Sequence, residues 1–257
     1  MNSRPRFFIL DRSPAVGGKY LLSVDDSNHA SNVLRLKEGS AVEISDGAGR
    51  CFMAEITGIA KKAVEVLIRE PYAAEAEPPL AITLVQGLLK GRKMDLVIHQ
   101  AVELGAARII PLITARSIPI LKDHRIRNRT ERWQKIARSA AEQSKREIIP
   151  RVEMPVSIEN LYADYNLKDE IVLVFWEGEK GKSLPLKQGD NSLHTASGVT
   201  IIIGPEGGFP AEEIEYLKRH QTIIAGLGPR VLRAETAAVA GLTLVQALVG
   251  DLQGERL

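Results

Sequence analysis

The residues best placed to do chemistry are two glycine-rich turns near the C-terminus. Residues 199–203 form a short β-branched apolar run that ends in the first glycine turn, residues 204–208, after which Pro210 opens a predicted helix. The same plan repeats downstream, where residues 222–225 end in the second glycine turn, residues 226–229, ahead of a long apolar helix. Adjacent strand ends of this kind are where an open α/β sheet binds a ligand.

The first glycine turn is not a phosphate loop. It matches neither the dinucleotide fingerprint G-x-G-x-x-G nor the P-loop G-x-x-x-x-G-K-[ST]. It has no lysine to meet a phosphate, and Glu206 would repel one. A carboxylate beside exposed backbone amides suits a ligand with a positive centre and hydrogen-bonding edges. A single glycine turn is commonly structural, but two in succession favour a ligand site.

Length and composition predict a soluble cytoplasmic protein. The chain has 257 residues, 44% hydrophobic and 26% charged, which is ordinary for globular proteins and enough for two domains. A single Cys51 excludes an intramolecular disulfide and fits a reducing compartment. No apolar run reaches the roughly 18 residues that span a bilayer, and the apolar run at 7–10 is too short for a signal peptide. We expect no membrane partner.

The charge is unevenly distributed. The net charge is only +2, yet residues 86–151 contain fifteen Lys and Arg against six Asp and Glu. A basic segment inside a balanced chain is typical of a nucleic-acid partner. A solvated helix face would produce the same excess, so charge alone does not choose between the two interpretations.

The elements that must position the turns fall into two predicted domains. Residues 1–72 show short alternating strands, a hairpin signal at Asp46-Gly47 and a short capped helix at 30–36, a pattern that predicts a small β-barrel with a binding role. The proline-bounded segment 71–79 is the predicted linker. Thereafter strands at 80–85, 108–113 and 171–175 alternate with helices at 94–104 and 127–146. This alternation predicts a parallel sheet with helices on both faces.

The C-terminal helix, predicted at residues 235–252, is apolar nearly all round. A helix without a polar face is buried, and at a chain end the usual burial is against another subunit. We therefore predict a homodimer that uses this helix.

The two turns carry a family resemblance. Residues 203–208 (IGPEGG) and 227–237 (LGPRVLRAETA), together with Lys90-Gly91 and Lys93-Met94-Asp95, resemble the RsmE family of SPOUT-class methyltransferases. The resemblance extends over nearly the whole chain. It implies a PUA-like β-barrel RNA-binding domain at 1–72 and a SPOUT α/β domain with a trefoil knot at 78–257. It further implies a homodimer that uses S-adenosylmethionine to methylate N3 of a uridine in 16S ribosomal RNA of the small ribosomal subunit.

The resemblance also implies which residues hold the cofactor, mostly through backbone amides and carbonyls. These are Ile203, Gly204, Pro205, Glu206, Gly207, Gly208, Leu227, Gly228, Pro229, Val231 and Leu232.

Candidate catalytic residues follow from the same motif. Arg230, Arg233 and Glu235 fall in the family's last motif, beside the methyl donor. Uridine N3 carries a proton between two carbonyls, so attack requires removing the proton or stabilising the resulting imidate. Glu235 or Glu206 could accept the proton, and Arg230 or Arg233 could stabilise charge on the uracil oxygens. The structural alternatives are that Arg233 and Glu235 only pair with each other or a neighbouring subunit, and that Glu206 only orders its turn.

RNA contacts are predicted from the barrel and from the basic segment, chiefly to phosphates and therefore weakened by salt. The candidates are Arg6, His29, Arg35, Lys90, Arg92, Lys93, Arg116, Arg138 and Arg146.

Two other classes of function compete with this prediction. A nucleotide-binding oxidoreductase predicts its glycine turn after the first strand of the α/β domain, whereas here the turns come last. A non-catalytic RNA-binding protein leaves both turns unexplained. Methyl transfer from a sulfonium needs no metal, and the five scattered histidines predict none.

Overall fold

Two compact units make up the structure, which is a computed structural model that describes residues 4–73, 75–117, 123–179, 184 and 196–252. The first unit contains Met1–Glu77 and Ala141–Ile149, and the second contains Pro78–Ala140 and Pro150–Leu257. The sequence assigned all of 78–257 to one domain, so the placement of residues 141–149 with the first unit is new. Within the described ranges, no helix is both long and apolar enough to cross a membrane.

The first unit is a five-stranded sheet with the order β1-β3-β4-β5-β2. Strands β1 and β3 pair in parallel, and the other neighbours are antiparallel. Alternate apolar side chains such as Val42, Ile44, Ile56 and Val66 face one buried core, which confirms the period-two pattern. The elements are β1 (Arg6–Phe8), β2 (Lys19–Leu21), α1 (Val24–Asn28), β3 (Ala41–Ser45), β4 (Cys51–Ala60) and β5 (Ala63–Tyr72).

Two local predictions in this unit were wrong. The helix expected at 30–36 begins earlier, at Val24, because the hydroxyl of Ser23 caps it by accepting from the Asp26 N–H at 3.1 Å. This helix continues into a π-helical turn at His29–Val33. The linker expected from residue 71 starts later, because β5 pairs with β4 as far as Tyr72.

The second unit is built on an all-parallel sheet, as the strand-helix alternation predicted. The strand order is β12-β10-β11-β6-β7-β8, and β9 also pairs with β7. The central strands are near-continuous apolar runs because both faces of the sheet are covered. The strands are β6 (Ile82–Gly87), β7 (Ala106–Ile113), β8 (Arg151–Val152), β9 (Val156–Ser157), β10 (Glu170–Phe175), β11 (Gly198–Ile203) and β12 (Ile223–Ala225).

Helices cover both faces of this sheet. They are α2 (Lys93–Glu103), α3 (Asp123–Gln143), α4 (Ile158–Asp164), α5 (Ala211–Lys218) and α6 (Ala234–Val249). One face carries α4 and α5, whose Ile158, Leu161, Ile214 and Leu217 join the core against the strands. On the other face α6 lies on β11 and β6 and packs against α2, with Gly241 against Phe175.

A side chain of α6 closes the end of α2. The amide of Gln246 is buried and donates to the Leu104 carbonyl at 2.8 Å, one of the carbonyls that a helix end leaves without a partner. The next residue, Gly105, has φ +80° and lies so close to this amide that an added Cβ would be 2.4 Å from Nε2. The contact therefore requires glycine at position 105.

Candidate functional site

Four strand ends meet at one edge of the second unit. The register aligns Gln86 of β6 with Ile203 of β11, and it aligns Phe175 of β10 with both Ile203 and Ala225 of β12. All four strands are parallel, so the segments that follow them emerge side by side. The carboxyl edge of the sheet thus brings both glycine turns together, as the sequence predicted.

The first glycine turn (residues 204–208) is held from β6. The amide nitrogen of Gln86, which is fully buried, donates to the Gly204 carbonyl at 3.1 Å. Next to it Gly87 supports Pro205 directly, since a Cβ at Gly87 would be 2.4 Å from the Pro205 backbone nitrogen. No side chain other than hydrogen fits there. Neither residue was singled out from the sequence, although a glutamine followed by glycine at the end of an apolar strand was a usable signal.

Glu206 is tied into the turn by its neighbours. One carboxylate oxygen accepts from the backbone N–H of Lys90 and from the ammonium of Lys93, each at 3.1 Å. Partial burial works against the charged form, but these hydrogen bonds outweigh burial and lower the pKa of Glu206 below its ordinary value. Glu206 is therefore ionised at neutral pH and weakly basic.

Two more side chains enclose the rest of the first glycine turn. The guanidinium of Arg116 donates to the Gly207 carbonyl at 2.8 Å. The carboxylate of Glu177 lies over Gly208, which has φ +64° and no room for a Cβ beside that side chain. Arg116, predicted to contact RNA, is exposed but already holds this turn.

The second glycine turn (residues 226–229) and the segment 230–233 are much more open. Gly228 has φ +90°, and no atom of the described residues lies within 4 Å of the position of a Cβ. Arg230, Val231 and Arg233 are exposed. Within the described ranges neither arginine has an ion pair, so the pairing of Arg233 with Glu235, one of the structural alternatives, does not form. Arg233 also precedes α6 without capping it through its side chain.

A cavity of about 340 Å³ lies between the two turns and the end of β10. Its walls combine apolar side chains, bare backbone and charged groups, which is typical of a small-molecule site. Among the lining residues are Lys93, Phe175, Trp176, Glu177, Glu179, Ile203, Gly204, Pro205, Glu206, Gly208, Leu227, Gly228, Arg230, Val231, Leu232 and Arg233.

Three predicted residues do not line this cavity. Gly207 and Pro229 belong to the turns without facing the cavity. Glu235 lies in the first turn of α6, behind Lys93, whose ammonium is 4.0 Å from its Oε2. That oxygen is buried and has no hydrogen-bond partner in the described part of the chain. A desolvated carboxylate oxygen beside a lysine is an unusual arrangement, because buried polar groups are nearly always paired.

Two predicted RNA ligands are buried in the first unit, contrary to the prediction. Arg6 pairs with Glu43 at 3.1 Å and donates to the Lys145 carbonyl and the Tyr72 hydroxyl. Arg146 donates to Glu77 through two nitrogens. Only 2% and 3% of these side chains are exposed, so neither charge is available to a phosphate.

The remaining predicted RNA ligands are more accessible. His29 and Arg35 are exposed in the first unit, and Lys90 and Arg92 are exposed in the second. Arg138 is half-buried on α3.

Known families match both units. A family model described as an RNA methyltransferase domain matches residues 76–246, and one described as an RNA methyltransferase PUA domain matches residues 22–69. Ribosomal RNA small subunit methyltransferase E of Bacillus subtilis is 33% identical to this chain over 238 residues, 92% of this chain and 93% of that protein. The chain belongs to this methyltransferase family.

Solved structures of the family have the same fold over nearly full length. The ribosomal RNA small subunit methyltransferase E of Neisseria gonorrhoeae, bound to S-adenosyl methionine, matches with a TM-score of 0.86 and 31% identity, covering 98% of this chain and 100% of that chain. A methyltransferase of Legionella pneumophila in complex with the same cofactor matches with a TM-score of 0.84 and 32% identity, covering 97% and 100%. The chain thus has the SPOUT-class methyltransferase fold with a PUA-like N-terminal domain.

Proposed function

We propose that this chain transfers the methyl group of S-adenosylmethionine to N3 of one uridine in 16S ribosomal RNA of the small ribosomal subunit. The observation that carries the proposal is the cavity between the two glycine turns, whose walls suit a cationic cofactor and include two arginines that have no ion pair among the described residues. Membership in the family and its cofactor-bound relatives support the same function.

The residues present fit S-adenosylmethionine. A volume of about 340 Å³ lies within the range of about 300–1,000 Å³ for small-ligand pockets. The apolar walls include Phe175, Ile203 and Leu232, which suit a planar base. The carboxylates of Glu177 and Glu206 suit a sulfonium centre. We propose that residues 203–208 and 227–232 hold the cofactor, largely through their backbone.

The cofactor supplies a methyl group whose carbon–sulfur bond breaks, with its electron pair passing to sulfur, as the N3 lone pair forms the new carbon–nitrogen bond. Before that step the N3 proton must leave. We assign its acceptor as Glu235, whose buried Oε2 has no hydrogen-bond partner in the described part of the chain and lies 4.0 Å from the ammonium of Lys93, a residue that lines the cavity. The proton then passes to solvent. Arg230 and Arg233 face the cavity and stabilise negative charge on the uracil oxygens.

Glu206 is a poor candidate for the same role. Its carboxylate holds the backbone of Lys90 and the ammonium of Lys93, and its lowered pKa makes it a weaker base. We propose that Glu206 orders the first glycine turn and helps neutralise the cofactor, which is the structural alternative of the sequence analysis.

RNA binding is proposed to use exposed side chains, His29 and Arg35 in the first unit and the cations Lys90, Arg92 and Arg116 in the second. Affinity for RNA should then fall steeply as salt rises. Because the substrate is ribosomal RNA, we propose a cytoplasmic location.

We also propose the homodimer. Ala238, Leu242 and Val245 of α6 are buried within the chain, but Val239 and Leu244 stay partly exposed and could join a second copy. The trefoil knot implied by the family resemblance stays a prediction.

The test uses the purified chain with small-subunit RNA or small subunits from cells that lack this activity. Isothermal calorimetry with S-adenosylmethionine should show binding, and NAD should show none. With radiolabelled cofactor, digestion of the RNA should yield N3-methyluridine at a single mapped position. Label in a different nucleoside would contradict the N3 assignment, and NAD binding without methylation would favour the oxidoreductase.

A matched pair of variants tests the proton acceptor. Glu235 and Glu212 each lie in the first turn of a helix, but Glu235 is next to Lys93, which lines the cavity, whereas Glu212 is exposed on α5. E235Q should lower kcat at least about 10²-fold, the usual contribution of general base catalysis. E212Q should match the wild type. Equal turnover in E235Q and the wild type across the pH range would remove Glu235 as the base.

A further inference from the structure

Three charged side chains of the second unit lie close together: Lys93 of α2, Glu206 of the first glycine turn and Glu235 of α6. The ammonium of Lys93, at the start of α2, is 3.1 Å from Glu206 and 4.0 Å from Glu235. About 40% of the Lys93 side chain is exposed and it lines the cavity, whereas only 16% of the Glu235 side chain is exposed. Lys93 thus lies between the cofactor turn and the carboxylate assigned as proton acceptor.

The carboxylate of Glu235 has this lysine as its nearest charged partner among the described residues, at 4.0 Å. A charged oxygen removed from water and left without a hydrogen bond is strongly disfavoured. Lys93 is the cation paired with Glu235 in the described part of the chain. An ammonium has three donors, and the bond to Glu206 uses one of them. The lysine can therefore face both carboxylates at once.

We propose that Lys93 is a positioning residue for methyl transfer: anchored on Glu206, its ammonium places a positive charge beside the Glu235 carboxylate and orients it to take the N3 proton. This inference rests on the proposed function. It replaces the prediction that Lys93 contacts an RNA phosphate, because its ammonium is already engaged by two carboxylates.

Other charges around the cavity set the background against which Lys93 acts. Glu177 and Glu179 follow β10, and Arg230 and Arg233 follow the second glycine turn. The described structure shows no ion pair between either arginine and Glu235. Replacing Lys93 alone should therefore change the charge environment of Glu235 most.

The kinetic test compares K93M with K93R and with K90M. Lys90 is exposed and holds Glu206 only through its backbone N–H, which K90M retains. K93M should move the acid limb of the kcat–pH profile upward by about 1 pH unit, the effect of losing an opposite charge at this distance. Turnover on the acid limb would then fall about tenfold and recover at alkaline pH. K93R should restore most of the wild-type profile.

K90M should raise the KM for RNA and reduce its salt dependence without moving the limb. If K93M instead behaves like K90M, with a higher KM and an unmoved limb, Lys93 is a phosphate contact and the proposal is overturned. A uniform loss of kcat at every pH would also overturn it, since that is the result of a purely structural role.

A second readout needs neither cofactor nor RNA. In protein labelled with ¹³C at glutamate side-chain carboxyls, E235Q identifies the Glu235 resonance. That resonance should titrate at higher pH in K93M than in the wild type or K93R. An unmoved titration overturns the coupling. A moved titration in a chain that methylates no RNA would support the coupling and overturn the proposed function alone.

Discussion

The two glycine turns read alike in sequence but differ in how the fold holds them. The first turn is fixed on every side: Gln86 and Gly87 support it from β6, Lys93 binds Glu206, and Arg116 binds its backbone. The second turn and the segment after it expose Arg230 and Arg233, which the described structure leaves without ion pairs. Two motifs that are similar in sequence are therefore expected to have different roles. The first turn is held as rigidly as the cofactor seat proposed for it requires, and the segment after the second turn carries the arginines proposed to supply charge for the substrate.

The largest expected effect is that of a substitution at Gly87, which tests whether the first glycine turn is rigid. In G87A the new Cβ would be 2.4 Å from the Pro205 nitrogen, so the first turn must move. Overpacking of this kind costs about 1–3 kcal/mol in stability, and affinity for S-adenosylmethionine should fall more than about tenfold. Thermal unfolding and calorimetry measure the two effects.

The control for G87A is G58A in β4, where the nearest atom to an added Cβ is 3.9 Å away. It should leave both unfolding and cofactor affinity near those of the wild type. Cofactor binding by G87A equal to that of the wild type would show that the first turn is not a rigid seat.

The next largest effect is expected from substitutions in the exposed segment after the second glycine turn. Because Arg230 and Arg233 are exposed, R230Q and R233Q should leave the unfolding midpoint unchanged. Loss of one electrostatic stabiliser should lower kcat about 10²-fold, with little change in cofactor affinity. Single-turnover methylation gives the rate, and R219Q, an exposed arginine at the end of α5, serves as the control. A drop in stability as large as that of G87A would erase the contrast between the turns.

The smallest effect concerns pH. Glu206 has a lowered pKa in the folded chain, so its stabilising contribution is complete above the ordinary glutamate value of 4.5. This stabilising contribution is lost as the pH falls through the lowered pKa that Glu206 has in the folded chain. The difference in unfolding free energy between the wild type and E206Q should therefore be constant above about pH 5 and shrink in acid. Denaturant titrations at several pH values measure it, and a difference that grows in acid would reverse the sign.

Sequence patterns predicted the elements that follow from the spacing of apolar residues along the chain. The alternating strands of the first unit, the apolar strands of the second and helix α2 all follow the order of side chains along the chain. The two glycine turns were noticed because glycine, proline and a carboxylate are visible as residue types, and their binding of the cofactor stays a prediction. Their meeting at one edge followed from the parallel sheet, and the register confirms it.

What sequence could not supply was the set of partners distant in the chain. Arg6 and Arg146 look like surface cations, yet each is buried against a carboxylate, Glu43 or Glu77, that no local pattern connects to it. Gln86 reads as one polar residue in an apolar strand, and its role depends on Gly204, 118 positions away. Such pairings are decided by strand order and tertiary packing, which a one-dimensional pattern does not contain.

Residues 141–149 belong to the first unit but are synthesised after the rest of it. Glu77 accepts from the backbone of Glu147 and Ile148 and from Arg146, while the Ser45 hydroxyl donates to the Glu147 carbonyl. A nascent chain emerging N-terminus first has residues 1–77 long before these partners exist. Residues 1–77 are therefore synthesised before the segment that completes their unit, and a fragment ending at residue 77 would lack these contacts.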